Sequence, residues 1–362
     1  MNGISMGPEA SGVDPVALDV VELTRELIRI DSINPDLVPG AAGEAEIAKW
    51  CAAWLSTLGF AVQQVGSAER PSIIGIARGT GGGKSLMLNG HLDTVGVAGY
   101  DGDPFSAEVR EGNVYGRGAF DTKAGVAAIM VAAARVATAK LAGDVIVTLV
   151  SDEEFSSQGT QDVLAAITAD AVIISEPSEM HLVVAHRGFA WFEIELTGLA
   201  AHGSMPQQGV DAIVHAGFVT RALDDLGSRL ESAPPHPQLG HSAVRVSMIS
   251  GGTDAATVAD SCTLTIERRM LPGEIPDSVE AELRDLLDIL AAAHADFQFE
   301  LRRLVARGAF EADANGPIVR AVADSAERVL GRPAALRGEP FWTDAGLILE
   351  AGIPCLLIGV DG

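Results

Sequence analysis

A chain of 362 residues is long enough for one large domain or two ordinary ones, and 48% apolar residues can fill a sizeable core. Its formal net charge of -24 disfavours nucleic acid and anionic membrane, so neither is expected as a partner. Three cysteines, Cys51, Cys262 and Cys355, form no paired motif, which fits a reducing, cytoplasmic setting. Residues 1–13 lack the basic and then apolar segments of a secretory leader, and no apolar run is long enough to span a bilayer, so a soluble protein is expected.

Asp14-Pro15 offers an N-cap and a first-turn proline for a helix reaching about Ile30, and Asn34-Pro35 breaks it. A second helix is predicted over 43–58, with Gly59 as its stop. Strands at 73–77, 85–89, 145–150 and 171–175 alternate with helices at 122–138 and 160–167. Near-continuous apolar strands of this kind imply an α/β domain with a buried, mostly parallel sheet. Near residue 182 the pattern changes. Phe192, Ile194 and Leu196 alternate with Glu193, Glu195 and Thr197 in a strand over 189–197. A helix over 211–226, a loop over 227–243, strands at 244–250 and 262–270, a helix at 278–295 and a strand at 298–304 follow. That order is βαββαβ, a ferredoxin-like arrangement. The first pattern resumes at Pro317. The expected organisation is a domain of 14–181 and 305–362 with a smaller domain of 182–304 inserted into it.

The chemistry-bearing residues follow the apolar strands. The strand at 85–89 runs into His91 and Asp93, the next into Asp152, Glu153 and Glu154, and the strand at 171–175 into Glu176. Open α/β sheets bind ligands beyond the carboxyl ends of their strands. Asp121 sits where a loop enters a helix. Taken singly, His91 suits a structural histidine, Asp121 an N-cap and Glu153-Glu154 a solvated turn. Charges that directly follow several buried strands are poor candidates for solvated surface. Zinc takes imidazole nitrogen and carboxylate oxygen and leaves a position for water in catalytic sites. A further carboxylate must then move the proton. Glu153-Glu154 offers a ligand and a base together, their side chains parting if the chain there is extended. His202 lies in a Gly/Pro-punctuated loop that by itself suggests only a turn.

Seven segments, in this order, carry a resemblance. They are Gly90-His-Leu-Asp-Thr-Val95, Asp103-Pro-Phe105, Tyr115-Gly-Arg-Gly-Ala-Phe-Asp-Thr-Lys-Ala-Gly125, Ser151-Asp-Glu-Glu154, Ser175-Glu-Pro177, Ala201-His-Gly-Ser-Met-Pro206 and Glu267-Arg-Arg-Met-Leu-Pro-Gly-Glu274. The chain resembles the co-catalytic zinc hydrolases that include acetylornithine deacetylase, succinyl-diaminopimelate desuccinylase, aminoacylase and bacterial glutamate carboxypeptidase. The resemblance implies two zinc ions, with cobalt or manganese as alternatives. His91 and Glu176 would bind one metal, Glu154 the other, and Asp121 would bridge them. Glu153 would be the general base, and Asp93 would orient His91. His202 would stabilise the oxyanion across a dimer interface. Arg269 would receive a carboxylate of a small-molecule substrate. The inserted domain would be lid and dimerisation element of a homodimer. The expected reaction is hydrolysis of the amide of an N-acyl amino acid, with a dipeptidase or carboxypeptidase, or a relic that only binds ligand, as alternatives.

The sequence departs from the family pattern in three places, of which Thr122 and Ala124, where the resemblance leads one to expect Met and Gly, carry little weight. The resemblance implies a histidine for the second metal beyond the last strand, whereas none follows His294, so a truncated form of a longer chain is expected. Ala256 and Ala259 replace residues of a substrate-contacting loop.

Overall fold

The computed structural model describes residues 19–361, so the helix start expected at Asp14-Pro15 lies outside the described residues. The chain divides into two compact units. One comprises Met1–Leu182, Ala314–Ala335 and Ala351–Gly362, the other Val183–Asp313 and Leu336–Glu350.

In the first unit, α1 (Val20–Ile28) is capped by Asp19, whose carboxylate accepts the Val21 N–H. Helix α2 (Ala45–Thr57) buries Ile47, Ala48, Cys51 and Leu55, the spacing of one helical face. Then come β1 (Ala61–Gly66), β2 (Pro71–Ala77), β3 (Leu86–His91) and a small hairpin of β4 (Glu108–Arg110) and β5 (Asn113–Tyr115). Helix α3 (Ala124–Ala137), β6 (Val145–Val150), α4 (Gln158–Ala166) and β7 (Ala171–Ile174) complete the run. Strand β6 reads Val-Ile-Val-Thr-Leu-Val and is buried at all positions, as a strand covered on both faces must be. Leu27, Ile47, Leu55, Ile73, Met130 and Val147 share one apolar core.

In the second unit, β8 (Leu182–His186) leads into β9 (Gly188–Thr197), α5 (Ala212–Ser232), β10 (Ala243–Gly251), β11 (Ser261–Met270), α6 (Pro276–Ala293), β12 (Gln298–Arg307) and β13 (Phe310–Glu311). Four strands form an antiparallel sheet in the order β10-β11-β9-β12. Phe192, Ile194 and Leu196 point from β9 into a core shared with Val219 and Leu223 of α5 and Leu283 and Leu287 of α6. Helix α5 extends to Ser232, into the stretch expected to be a loop, because Leu226 and Leu230 continue its apolar face.

The remaining chain serves both units: α7 (Pro317–Leu330), β14 (Leu336–Glu339), α8 (Ala345–Glu350) and β15 (Cys355–Leu357). Residues 336–350, placed by sequence with the first unit, belong to the second, where β14 pairs with β8. In the first unit the strand order is β1-β2-β6-β3-β7-β15. Pairing is parallel from β6 through β15 and antiparallel at β1 and β2. The register sets His91 opposite Val150 and Asn89 opposite Ile174, so the carboxyl ends of three parallel strands emerge together. Among the described residues no helix is long and apolar enough to cross a membrane.

Candidate metal centre

His91 ends β3 and is 1% exposed. Its Nε2 lies 2.9 Å from an Asp121 carboxylate oxygen and 3.9 Å from one of Glu176, which follows β7. One donor atom from each of the three lies within 4.8 Å of the others. Burial alone would lower the pKa of His91; the Glu176 charge and the bonds to Asp121 and Asp93 overcome it and hold the imidazole well above its ordinary range. A buried imidazole and two carboxylates drawn to one point are a donor set that fits a divalent cation such as zinc.

Local structure delivers each member. Asp121 is no helix cap: α3 begins at Ala124, with Lys123 in the cap position. Gly125 then lets α3 pass β7, since a Cβ there would meet the Ser175 Oγ at 2.0 Å. Gly359 does the same on the other side, where a Cβ would lie 2.1 Å from the Glu176 carbonyl. The main chain around Glu176 is thus clasped by two glycine contacts.

Glu153 and Glu154 stand in a turn rather than an extended chain-end. The turn is gripped by Asp93, fully buried, whose two carboxylate oxygens accept the N–H groups of Glu153 and Glu154, each at 3.1 Å. The nearer Asp93 contact to His91 is the backbone carbonyl, 2.9 Å from Nδ1, against 3.5 Å for the carboxylate. A carbonyl accepts only, so Nδ1 carries hydrogen and Nε2 is left as donor atom for a cation. Glu154 lies outside the convergent trio. Burial raises its pKa to about 7, with the Asp121 and Asp93 charges adding to the rise and His91 opposing it.

Sequence reasoning missed a supporting group. Asn34 Nδ2 donates to Asp93 at 2.8 Å and to Asp152 at 3.1 Å. Arg70 binds Glu44 at 2.5 Å and Asp152 at 2.9 Å, and Glu44 accepts the Asp152 N–H at 3.2 Å. Asn34-Pro35 was legible as a helix break, and Asp152 only as a neighbour of the glutamates; Glu44 and Arg70 carried no local signal.

The other two expected residues lie in the second unit. His202 is exposed on the loop after β9, where the Ser204 hydroxyl (2.8 Å) and N–H (3.2 Å) both face its Nδ1. An N–H can only donate, so Nδ1 is the acceptor and the proton rests on Nε2. Arg269, on β11, is half-buried and contacts Glu267 at 2.8 Å.

Comparison with known proteins agrees with this architecture. Over 94% of its length the chain is 28% identical to N-formyl-4-amino-5-aminomethyl-2-methylpyrimidine deformylase of Bacillus subtilis, covering 87% of that protein. Acetylornithine deacetylase of Proteus mirabilis is 32% identical over 75% of this chain and 70% of its own. Among solved structures, aminopeptidase PepT of Bacillus cereus shares the fold with a TM-score of 0.74 at 23% identity, covering 94% of this chain and 89% of that one. A Bacillus subtilis protein described as a dinuclear metal binding peptidase of the M20 family has a TM-score of 0.70 at 17% identity, covering 94% and 87%. The family model for peptidase family M20/M25/M40 matches residues 87–362, and the chain therefore belongs to that family of hydrolases acting on carbon–nitrogen bonds.

Proposed function

We propose that this chain is a zinc-dependent amidohydrolase that releases the acyl group from an N-acyl amino acid. The observation that carries the proposal is the convergence of His91, Asp121 and Glu176 on one point, in a chain 32% identical to an acetylornithine deacetylase. His91, Asp121, Glu176 and Glu154 would hold the two zinc ions. Metal held there would supply an activated water and polarisation of the scissile carbonyl.

The protein's own groups do the rest. Asp93 fixes the 153–154 turn by two main-chain bonds, which sets where the Glu153 side chain starts. Glu153 takes the proton of the attacking water and passes it to the leaving amine as the C–N bond breaks, so the proton count closes. His202, with its proton on Nε2, is suited to donate to the developing oxyanion. Arg269 receives the substrate carboxylate through its guanidinium fork. The second unit serves as lid and as the interface of a homodimer. The enzyme works in the cytoplasm.

The test is hydrolysis of N-acetyl and N-succinyl amino acids, and of dipeptides, by zinc-loaded enzyme before and after chelation. Zinc-dependent release of acetate or succinate is expected. Cleavage of dipeptides alone would replace the deacylase with a dipeptidase, and equal rates after verified zinc removal would overturn the metal-dependent reading.

A further inference from the structure

The turn that carries Glu153 and Glu154 begins on strained backbone. Asp152 has a φ of 66°, left-handed territory that a residue with a side chain enters at a cost and keeps only where its surroundings hold it. Here they do. The Asp152 N–H donates to Glu44 at 3.2 Å. Its carboxylate accepts from Arg70 at 2.9 Å, from the Gln158 N–H at 3.3 Å and from the Ser156 hydroxyl. The remaining donor is the Asn34 amide, at 3.1 Å.

Asn34 is fully buried, and the same nitrogen donates to Asp93 at 2.8 Å. Its partners fix which way the amide faces. Oδ1 lies 2.9 Å from the Asp36 N–H, which can only donate, so Oδ1 is the acceptor and the nitrogen faces the two carboxylates. That nitrogen carries two hydrogens, one for each carboxylate. The main chain of Asn34 is held as well: its N–H donates to the Thr94 carbonyl at 2.9 Å, and its own carbonyl accepts the Val38 N–H at 2.9 Å. Asn34 thus ties Asp152, where the turn starts, to Asp93, which accepts the N–H groups of Glu153 and Glu154. One neutral amide stands between two carboxylates that would otherwise repel each other.

We propose that Asn34 is a positioning residue for the reaction: by bridging Asp93 and Asp152 it sets the 152–154 turn, and with it the place from which Glu153 moves the proton. The role given to Glu153 rests on the amidohydrolase reading; the tether does not.

Asn34→Asp separates the two sides of the amide. It keeps an oxygen for the Asp36 N–H, and so the local turn of residues 34–36, but replaces the shared donor with a third carboxylate. Zinc-loaded wild type and Asn34→Asp are compared on N-acetyl amino acids. Zinc content is measured on the same samples, and amide hydrogen exchange is followed by mass spectrometry. The kcat per bound zinc falls about 10–100-fold while KM changes by less than about three-fold, the pattern of a lost support behind the reacting groups. Exchange quickens by about 10-fold or more in peptides covering 152–158 and stays as in wild type in peptides from α2 and α3. A kcat within about two-fold of wild type overturns the proposal. So does unchanged exchange at 152–158, or faster exchange spread through α2 and α3, which marks a merely structural residue. A wild type that hydrolyses no amide overturns the amidohydrolase reading instead, and exchange then decides the tether by itself. Should Asn34→Asp not fold, Asn34→Ser, whose hydroxyl can serve only one carboxylate at a time, is judged by the same criteria.

Discussion

Asp93 does more at the centre than a single role describes. One buried carboxylate accepts two backbone N–H groups from the 153–154 turn and the Asn34 amide, while its carbonyl orients His91. Burial would raise its pKa, but the hydrogen bond and charge of His91, then the Asn34 amide and the Glu154 N–H, hold it below the ordinary carboxylate value, so it stays ionised where a charge is costly. Glu153→Ala should leave the fold and the metal in place and lower kcat by about 10²–10⁴-fold, the usual contribution of a positioned acid–base group. Metal content by elemental analysis, beside steady-state kinetics, checks this; an unchanged kcat would remove Glu153 as the base. A second prediction concerns His186, fully buried in the second unit, whose pKa burial lowers to about 4. The unfolded chain protonates this imidazole near pH 6.5 while the folded chain does not. Stability is therefore full above that pH and falls as pH drops toward 4, by roughly 3 kcal/mol from this group. Urea unfolding at pH 7 and pH 5 should show a smaller loss in His186→Gln than in wild type; identical losses would contradict the assignment.

At the scale of elements, the brace behind the 152–154 turn comes from distant segments. Arg70 and Asp152 are 82 residues apart in sequence, and Asn34 and Asp152 are 118 apart. Arg70→Met would strand Glu44, whose side chain is fully buried, and should cost about 3–5 kcal/mol. Denaturant midpoints read that cost, and a drop under about 1 kcal/mol would show that the brace is dispensable. This distance also explains what was legible in the sequence. His91 and Glu176 could be read because each follows an apolar strand, and Asp121 because its loop runs into the Ala-rich segment that forms α3. Asn34, Glu44 and Arg70 could not, since polar partners joined across long loops leave no local pattern. Strand β1, Ala-Val-Gln-Gln-Val-Gly, was missed for a related reason: it is a largely exposed edge strand without apolar alternation. Strand β10 is also an edge, and it exposes Met248 (65%) and Ile249 (57%). An apolar open edge calls for a partner strand. If a second copy supplies it, Ile249→Lys should convert a dimer to monomer in light scattering, and a wild-type monomer would contradict the proposed interface.

For the whole molecule, membership of the M20/M25/M40 family and the convergence of one imidazole with two carboxylates point to one chemistry. The donor trio bears on whether any reaction occurs. The most direct test of the central claim is therefore elemental analysis of wild type and Asp121→Ala after zinc loading and dialysis. Wild type should retain one to two zinc equivalents per chain and Asp121→Ala close to none, with far-UV circular dichroism unchanged between them. A wild type that holds no zinc, or an Asp121→Ala variant that retains all of it, would contradict the metal centre.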